Sequence, residues 1–298
     1  MHRITGVLSE NTPTRRNRLL EACPRKLVLL APSTGTIPSS FTNVSGDADR
    51  YEELLCGMQT LRGAVYLQDG AISSHELSDK RHRLDADHRS WHLLVIDADG
   101  SVCGCARYGE HLSAKFSQLS ISRSALAKSS EWGSRLRSLV DAELAISERL
   151  GVPYVELGGW ALDENVRCTS EALRLALSTY ALSQALGGGV GISTATHRNS
   201  SSAILRRLGG APFEHERCEV PAYFDHQYGC EMEVLRFYSW APSPRYVNWI
   251  GDLKRELRNI SVVANDSFDA TWRIPQISAA ARMPEPTVLS RNSRSFVV

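Results

Sequence analysis

The chain has 298 residues, with 34 Lys and Arg against 33 Asp and Glu, and 42% of its residues are hydrophobic. These proportions are typical of a globular protein and exclude a disordered or fibrous chain. A formal net charge of +1 argues against non-specific binding of nucleic acid, because neutralising a phosphate backbone needs an excess of basic residues. The length allows one large domain or two of ordinary size.

The amino-terminal region has no apolar core of the kind that secretory signals carry, and no apolar run of the sequence is long enough to cross a bilayer. We therefore predict a cytoplasmic protein with no membrane span. The seven cysteines are odd in number and scattered, without the paired spacings that build zinc sites. The sequence predicts no metal centre.

Composition divides the chain into three parts. Residues 1–47 are rich in Ser, Thr, Pro, Arg and Asn, and we expect a mobile amino-terminal arm with at most one strand, at the apolar run of residues 27–31. Residues 48–240 carry most of the periodic segments. In residues 241–298, the sequence pattern predicts an amphipathic helix at 245–260, followed by a loose tail rich in Pro and Ser.

The periodicity of the central part predicts alternating helices and strands. Helices are expected at residues 51–62, 134–150, 171–186 and 200–208, and strands at 91–96, 102–108, 154–162, 190–196 and 231–238. The Asp-Ala-Asp-Gly sequence at 97–100 is typical of a hairpin turn, so the first two strands should pair antiparallel. We predict an α/β (α+β) fold with a mixed, mostly antiparallel central sheet flanked by helices.

Seven charged, aromatic and glycine positions around this hairpin form a pattern, namely Arg62, Tyr66, Asp85, Asp87, Gly104, Arg107 and Glu156. The pattern resembles the acyl-homoserine-lactone synthases and the related N-acyl amino acid synthases, which belong to the GNAT acyltransferase superfamily. Those synthases carry an Arg three residues after the Glu, whereas this chain has Gly159. The resemblance to the lactone synthases is therefore incomplete.

A second segment, Arg-Cys-Thr-Ser-Glu-Ala at residues 167–172, is similar to the GNAT loop that joins a strand to a helix. Arg167 and Ala172 fit that loop, while Ser170 replaces its first Gly. In such a loop, backbone amides at the helix amino terminus face the pyrophosphate of coenzyme A. Thr169 or Ser170 can equally serve as a helix N-cap. The later segment beginning at Asn199 resembles the same superfamily.

The resemblance implies a GNAT-like N-acyltransferase that moves an acyl group, expected to be fatty acyl, to the amine of a small molecule such as an amino acid. The donor would be an acyl-CoA or acyl-carrier-protein thioester, bound as co-substrate and without a permanent cofactor. Glu156 is expected to take the amine proton with Arg107 beside it, although a structural ion pair between these two is the alternative. The other implied contacts are Arg62, Tyr66, Asp85, Asp87 and Trp160 for the substrate, and Leu157, Leu162, Arg167, Thr169, Ser170, Ala172 and Asn199 for the donor.

Two further features leave other interpretations open. Leu205 stands where many GNAT enzymes have a Tyr that protonates the departing thiolate. Arg198, Arg206 and Arg207 offer a basic docking surface for an acidic carrier protein, or are simply solvated. Two further hypotheses follow, an acetyl-CoA-dependent GNAT N-acetyltransferase and a catalytically inactive GNAT-like domain that binds an acyl thioester.

Overall fold

The structure, a computed structural model, describes residues 25–265, and a large sheet runs through this part of the chain. The helices are α1 (Ala48–Gln68), α2 (Ala125–Lys128), α3 (Gly133–Leu150), α4 (Ser170–Ala185), α5 (Ser201–Leu208) and α6 (Val247–Leu257). The strands are β1 (Lys26–Leu30), β2 (Val44–Gly46), β3 (Trp91–Ile96), β4 (Val102–His111), β5 (Tyr154–Leu162), β6 (Val190–Thr196), β7 (Ala211–Pro212), β8 (Glu214–His215), β9 (Cys218–Glu219), β10 (Tyr223–Asp225), β11 (Cys230–Tyr238) and β12 (Ser261–Ala264).

The order of strands in the sheet is β10-β11-β6-β5-β4-β3-β1-β12-β2, with β7 also paired to β11. The β5/β6, β1/β12 and β12/β2 pairs are parallel, and the others in this sheet are antiparallel. The predicted fold class, a mixed and mostly antiparallel sheet flanked by helices, is confirmed. In the described part, no helix combines the length and the apolar character that a membrane crossing requires.

Segments on both sides of residues 48–240 contribute strands to this sheet. β1 lies between β3 and β12, and β12 is followed by β2 at the sheet edge. A mobile arm is therefore wrong for residues 25–47, because backbone pairing with residues 91–96 and 261–264 fixes β1. The predicted helix at 245–260 is confirmed as α6. Residues 1–24 and the predicted Pro- and Ser-rich tail from residue 266 lie outside the described residues.

Helices cover both faces of the sheet. The face that we call the α1 face carries α1 and α3, whose apolar side chains pack against strand residues such as Leu94 and Tyr154. The opposite face, the α4 face, carries α4 and α6 over Leu93 and Tyr108. α1 begins at the N-cap Asp47, whose side chain accepts a hydrogen bond from the backbone NH of Arg50.

The central strands β5 and β6 separate part-way along their length. They pair only between Tyr154–Leu157 and Val190–Ser193, and beyond this point residues 158–162 of β5 pair with β4 alone. The separation coincides with a bulge, since the three-residue step from Gly158 to Ala161 lies opposite a two-residue step on β4. The backbone of β5 therefore has an unpaired edge facing a gap between the two strands.

Gly159 makes this bulge possible, and we expect Gly159→Ala to lower the free energy of unfolding by about 1–2 kcal/mol. Its φ of +61° is unfavourable for residues with a side chain, and a Cβ there would lie 3.1 Å from the Cβ of Arg107. Urea unfolding measures the effect. Gly158→Ala is the matched control, because its Cβ would make only an ordinary 3.5 Å contact with Nη2 of Arg107. Equal losses in the two variants would contradict the prediction.

Candidate active site

Arg62 of α1 and Asp87 form an ion pair under the α1 face of the sheet. The distances are 2.9 Å from Nη1 to Oδ1 and 2.7 Å from Nη2 to Oδ2, and neither side chain is exposed. Gln59 and the backbone NH of Leu84 also donate to Asp87. Burial alone raises the pKa of Asp87, but the bonds and charge of Arg62 outweigh it and the pKa is lowered. Both residues lack surface to offer a ligand, so they position their neighbours.

Arg107 of β4 has a different environment. Within the described residues its guanidinium has no ion pair or hydrogen bond, and its Nε atom is buried without a partner. Gly109 provides space for it, because a Cβ at residue 109 would lie 3.3 Å from Nη1 of Arg107. The rings of Tyr66 and Tyr228 contact each other edge to face, with 6.4 Å between their centroids. Both phenol groups lie close enough to Arg107 for its positive charge to act on their pKa. The arrangement presents a free cation beside two phenol groups.

Glu156 is held by two residues that the sequence pattern did not identify. Its Oε1 accepts hydrogen bonds from the backbone NH of Ser120, at 2.7 Å, and from the Ser120 hydroxyl. Its Oε2 lies 3.0 Å from Nε2 of His111. Burial raises the pKa of Glu156, but these hydrogen bonds and the charge of Arg107 outweigh it, so the pKa lies below its ordinary value. Glu156 is therefore a stabilised carboxylate.

The alternative of an ion pair between Glu156 and Arg107 is not realised in the described structure, where the partner of the carboxylate is His111. Arg107, Gly109 and His111 alternate along β4 and so share the α1 face. Glu156 lies directly opposite Gly109 and points to the same side. Asp85, by contrast, is exposed and has no partner among the described residues. The pattern thus led to two adjacent strands, β4 and β5, and the structure excludes only the alternative ion pair between them.

The two donor positions predicted on β5, Leu157 and Leu162, bound the segment that does not pair with β6. Leu157 is the last residue paired with β6, and Leu162 ends the strand. Trp160 is half-buried beside the bulge, and its indole Nε1 is buried without a hydrogen-bond partner in the described structure. The carbonyl oxygens of Gly159 and Leu162 accept hydrogen bonds from Cys105 and Arg167, and no strand of the described chain pairs with this segment on the side of β6.

The loop after β5 leads to the amino terminus of α4. Thr169 is the N-cap and accepts a hydrogen bond from the backbone NH of Glu171, which confirms the N-cap interpretation. Ser170 and Ala172 lie in the first turn. Arg167 donates through Nε to the carbonyl oxygen of Leu162 and lies 3.6 Å from Asp69.

Asp69, at the end of α1, joins the loops that follow β5 and β6. Its side chain contacts Arg167 and accepts a hydrogen bond from the side chain of Asn199 at 2.9 Å, while its backbone carbonyl accepts one from Arg198. The second Nη atom of Arg198 donates to the carbonyl of Gly229. Arg167 and Asn199, two residues predicted to bind the acyl donor, are therefore both held by the carboxylate of Asp69.

The three arginines predicted to form a basic docking surface are not equivalent. Arg206 pairs with Glu233 and Glu219, which neutralise it locally. Arg198 is occupied by two backbone carbonyls. Only Arg207, of these three, is exposed without a partner in the described part. The basic character of this surface is weaker than the sequence predicts.

His92 of β3 lies next to the Arg62–Asp87 pair and is fully buried. Its Nε2 donates to the carbonyl oxygen of Asp87 at 2.9 Å, while Nδ1 is buried without a partner in the described structure. Burial lowers the pKa of His92 to about 4, because a charged imidazole would be desolvated there.

This shift predicts acid sensitivity. The folded protein binds the His92 proton less tightly than the unfolded chain, so stability falls as the pH falls from 6.5 towards 4. We expect a loss of about 3 kcal/mol over that interval, at about 1.4 kcal/mol per pKa unit. Urea unfolding at several pH values gives the free energy of unfolding of wild type and of His92→Gln. The difference between the two isolates the contribution of His92, since the other groups titrate in both proteins. Parallel curves of this free energy against pH would contradict the prediction.

No protein-family model matches the chain, and no curated protein matches it. Among solved structures, the chain is similar to BjaI, a CoA-dependent acyl-homoserine lactone synthase, with 12% identity and a TM-score of 0.49 over 84% of this chain and 97% of that chain. It is similar to FeeM, an N-acyl amino acid synthase from uncultured soil microbes, with 12% identity and a TM-score of 0.41 over 72% and 92%.

A third similar structure is arylalkylamine N-acetyltransferase 2 from Aedes aegypti, with 17% identity and a TM-score of 0.42 over 65% of this chain and 97% of that chain. The similar structures thus include a lactone synthase and an N-acyl amino acid synthase, the two kinds of protein that the motifs resemble. No activity is inferred from these likenesses.

Proposed function

We propose that this protein is an N-acyltransferase. It moves an acyl group, in the first instance a fatty acyl group, from a CoA or acyl-carrier-protein thioester to the amine of a small molecule such as an amino acid. The observation that carries the proposal is the opening of the sheet beside Glu156. The gap between β5 and β6 starts directly after Leu157, within two residues of a buried carboxylate and opposite the free guanidinium of Arg107.

The gap suits the donor. A pantetheine arm is extended and carries amide groups, which pair with the free backbone groups of residues 158–162 as a further strand would. The bulge at Gly159 turns those groups out of the β4 ladder. A backbone NH near Trp160 then lies where it polarises the thioester carbonyl, and such donors stabilise the oxyanion that forms.

The α1 face suits the acceptor. Acyl transfer requires the amine to be held near the thioester and to lose a proton. Arg107, Tyr66 and Tyr228 bind the polar part of the acceptor, since the guanidinium has no partner within the described chain and carboxylates are its preferred ligands. Glu156 and the imidazole bonded to it supply the group that receives the proton.

One observation favours a second candidate, a domain that binds an acyl thioester without turnover. Arg167, the cation of the donor loop, is occupied by Asp69, and Thr169 uses its hydroxyl to cap α4. The side chains that would bind a phosphate group of the donor are therefore partly engaged by other residues of the protein.

A donor and acceptor panel tests both candidates. The purified full chain is incubated with acetyl-CoA, decanoyl-CoA or decanoyl carrier protein, and with an amino acid mixture, tyramine or S-adenosyl-L-methionine. Thiol release and amide product are followed together. Amide formation with decanoyl donors supports the proposal. Amide formation with acetyl-CoA alone would show that the donor is acetyl-CoA and not a fatty acyl thioester. Donor binding without thiol release from any pair favours the inactive domain.

A further inference from the structure

The contact between Glu156 and His111 has the form of a carboxylate–imidazole pair, in which the carboxylate orients a proton acceptor. Only a hydrogen on Nε2 explains the 3.0 Å contact with a carboxylate that is ionised, since an ionised carboxylate accepts and cannot donate. In the neutral imidazole, Nδ1 of His111 is then the unprotonated nitrogen. No hydrogen bond engages Nδ1 within the described residues, and it is not among the buried atoms that lack a partner.

Glu156 is poorly suited to take the proton by itself. Its side chain is 9% exposed, and three hydrogen bonds from Ser120 and His111 already stabilise its charge. The same bonds keep its pKa below the ordinary value, which makes it a weak base towards an ammonium group. The His111 side chain is 29% exposed and is the member of the pair with more accessible surface.

The position of His111 fits contact with an acceptor. It lies on the α1 face of β4, two positions beyond Gly109 on the side away from Arg107, so the free guanidinium and the imidazole flank the same glycine. For an acceptor whose anionic group contacts Arg107, a base on this face would take the proton directly or through one water molecule.

Building on the proposed N-acyltransferase function, we propose that His111 is the general base and that Glu156 is its positioning residue. The amine nitrogen forms a bond to the thioester carbon, and the proton of that nitrogen passes to Nδ1 of His111. The C–S bond then breaks, and the electron pair leaves with the thiolate. Glu156 stabilises the imidazolium through the Nε2 hydrogen bond, and the imidazolium returns its proton to the solvent or the thiolate.

His111→Gln separates this role from a structural one. A Gln amide NH can still donate to Glu156, but the amide is not a base at neutral pH. We expect kcat for amide formation from decanoyl-CoA to fall by about a hundredfold or more, with KM for the acceptor changed by less than about threefold. The acceptor is the best one found in the panel, and product is measured by mass spectrometry.

Rescue provides a second measurement. Imidazole added to His111→Ala is expected to restore at least about a tenth of the wild-type rate, because it occupies the vacated space and accepts the proton. The amide product is measured because imidazole can itself be acylated by the thioester, which would release thiol without any transfer to the acceptor. His215→Gln, on the short strand β8, is the control for His-to-Gln replacement and should leave kcat within about twofold.

The outcomes separate the two proposals. A wild-type protein that forms no amide with any pair overturns the proposed function, and this inference with it. An active wild type, together with a His111→Gln variant within about threefold of its kcat, overturns the inference alone and leaves Glu156 as the base. Loss in His111→Gln with imidazole rescue of His111→Ala supports it.

Discussion

In Glu156→Gln, kcat for amide formation is expected to fall by about a hundredfold or more. The amide has one oxygen for the donors that now share two, so either Ser120 or His111 loses its acceptor. The negative charge that stabilises a protonated partner is also lost. Steady-state kinetics with the donor and acceptor found in the panel measure the change, and KM for the donor should stay within about threefold because residues 158–162 are untouched.

Glu110→Gln is the matched control for this variant. Glu110 lies on the same hairpin strand, β4, but alternates to the α4 face. Burial raises its pKa to about 7, so the carboxyl group is already partly protonated near neutrality and an amide is a close substitute. We expect kcat to stay within about threefold. Equal kcat in Glu156→Gln and wild type would remove Glu156 from the reaction.

Asp87→Asn is expected to lower the free energy of unfolding by about 3–5 kcal/mol. The substitution leaves the guanidinium of Arg62 buried without a countercharge, and desolvated charges are stabilised only by close partners. The same change disturbs the hydrogen bonds from Gln59 and from the backbone of Leu84. Urea unfolding at pH 7 measures the loss, with circular dichroism to verify that the variant is folded without denaturant.

Asp85→Asn is the control, because Asp85 lies two residues away, is exposed and has no partner among the described residues. Its effect should be within about 0.5 kcal/mol. A loss of similar size in both variants would show that the Arg62–Asp87 pair is not the source of the stability. Replacing both Arg62 and Asp87 by apolar residues should recover part of the loss, since it removes the unpaired charge.

Local sequence patterns predicted the central elements well. The strands at 91–96, 154–162 and 190–196 have the predicted bounds. The predicted helices at 134–150 and 200–208 differ from the observed ones by one residue at one end, and the helix at 171–186 by one residue at each end. Periodicity and turn residues act over a few positions, so they are visible in a short window. β2 and β12 escaped this reasoning, because their stability depends on partners more than 50 residues away, whereas β1 lies at the apolar run of residues 27–31 where a strand was expected.

The candidate site was predicted only in outline. Arg107 and Glu156 share one face of the sheet, but the contacts of His111 and Ser120 with Glu156 and of Tyr228 with Tyr66 were not predicted. One signal existed for His111, since Arg107, Gly109 and His111 follow the alternation of a strand that continues beyond residue 108. No comparable signal existed for Ser120 or Tyr228, which reach the site from a short 3-10 helix and a hairpin turn.

The sequence by itself determined the longer helices and strands of residues 48–240 and the order of charged residues along them, but not α2 or β7 to β10. Only the tertiary structure decided which charges meet. Arg62 pairs with Asp87 across 25 positions, and Glu156 contacts His111 across 45 and Ser120 across 36. The physical reason is that partners so far apart are brought together by strand pairing and helix packing. A buried charge then takes the partner that the fold places beside it, whatever lies near it in the sequence.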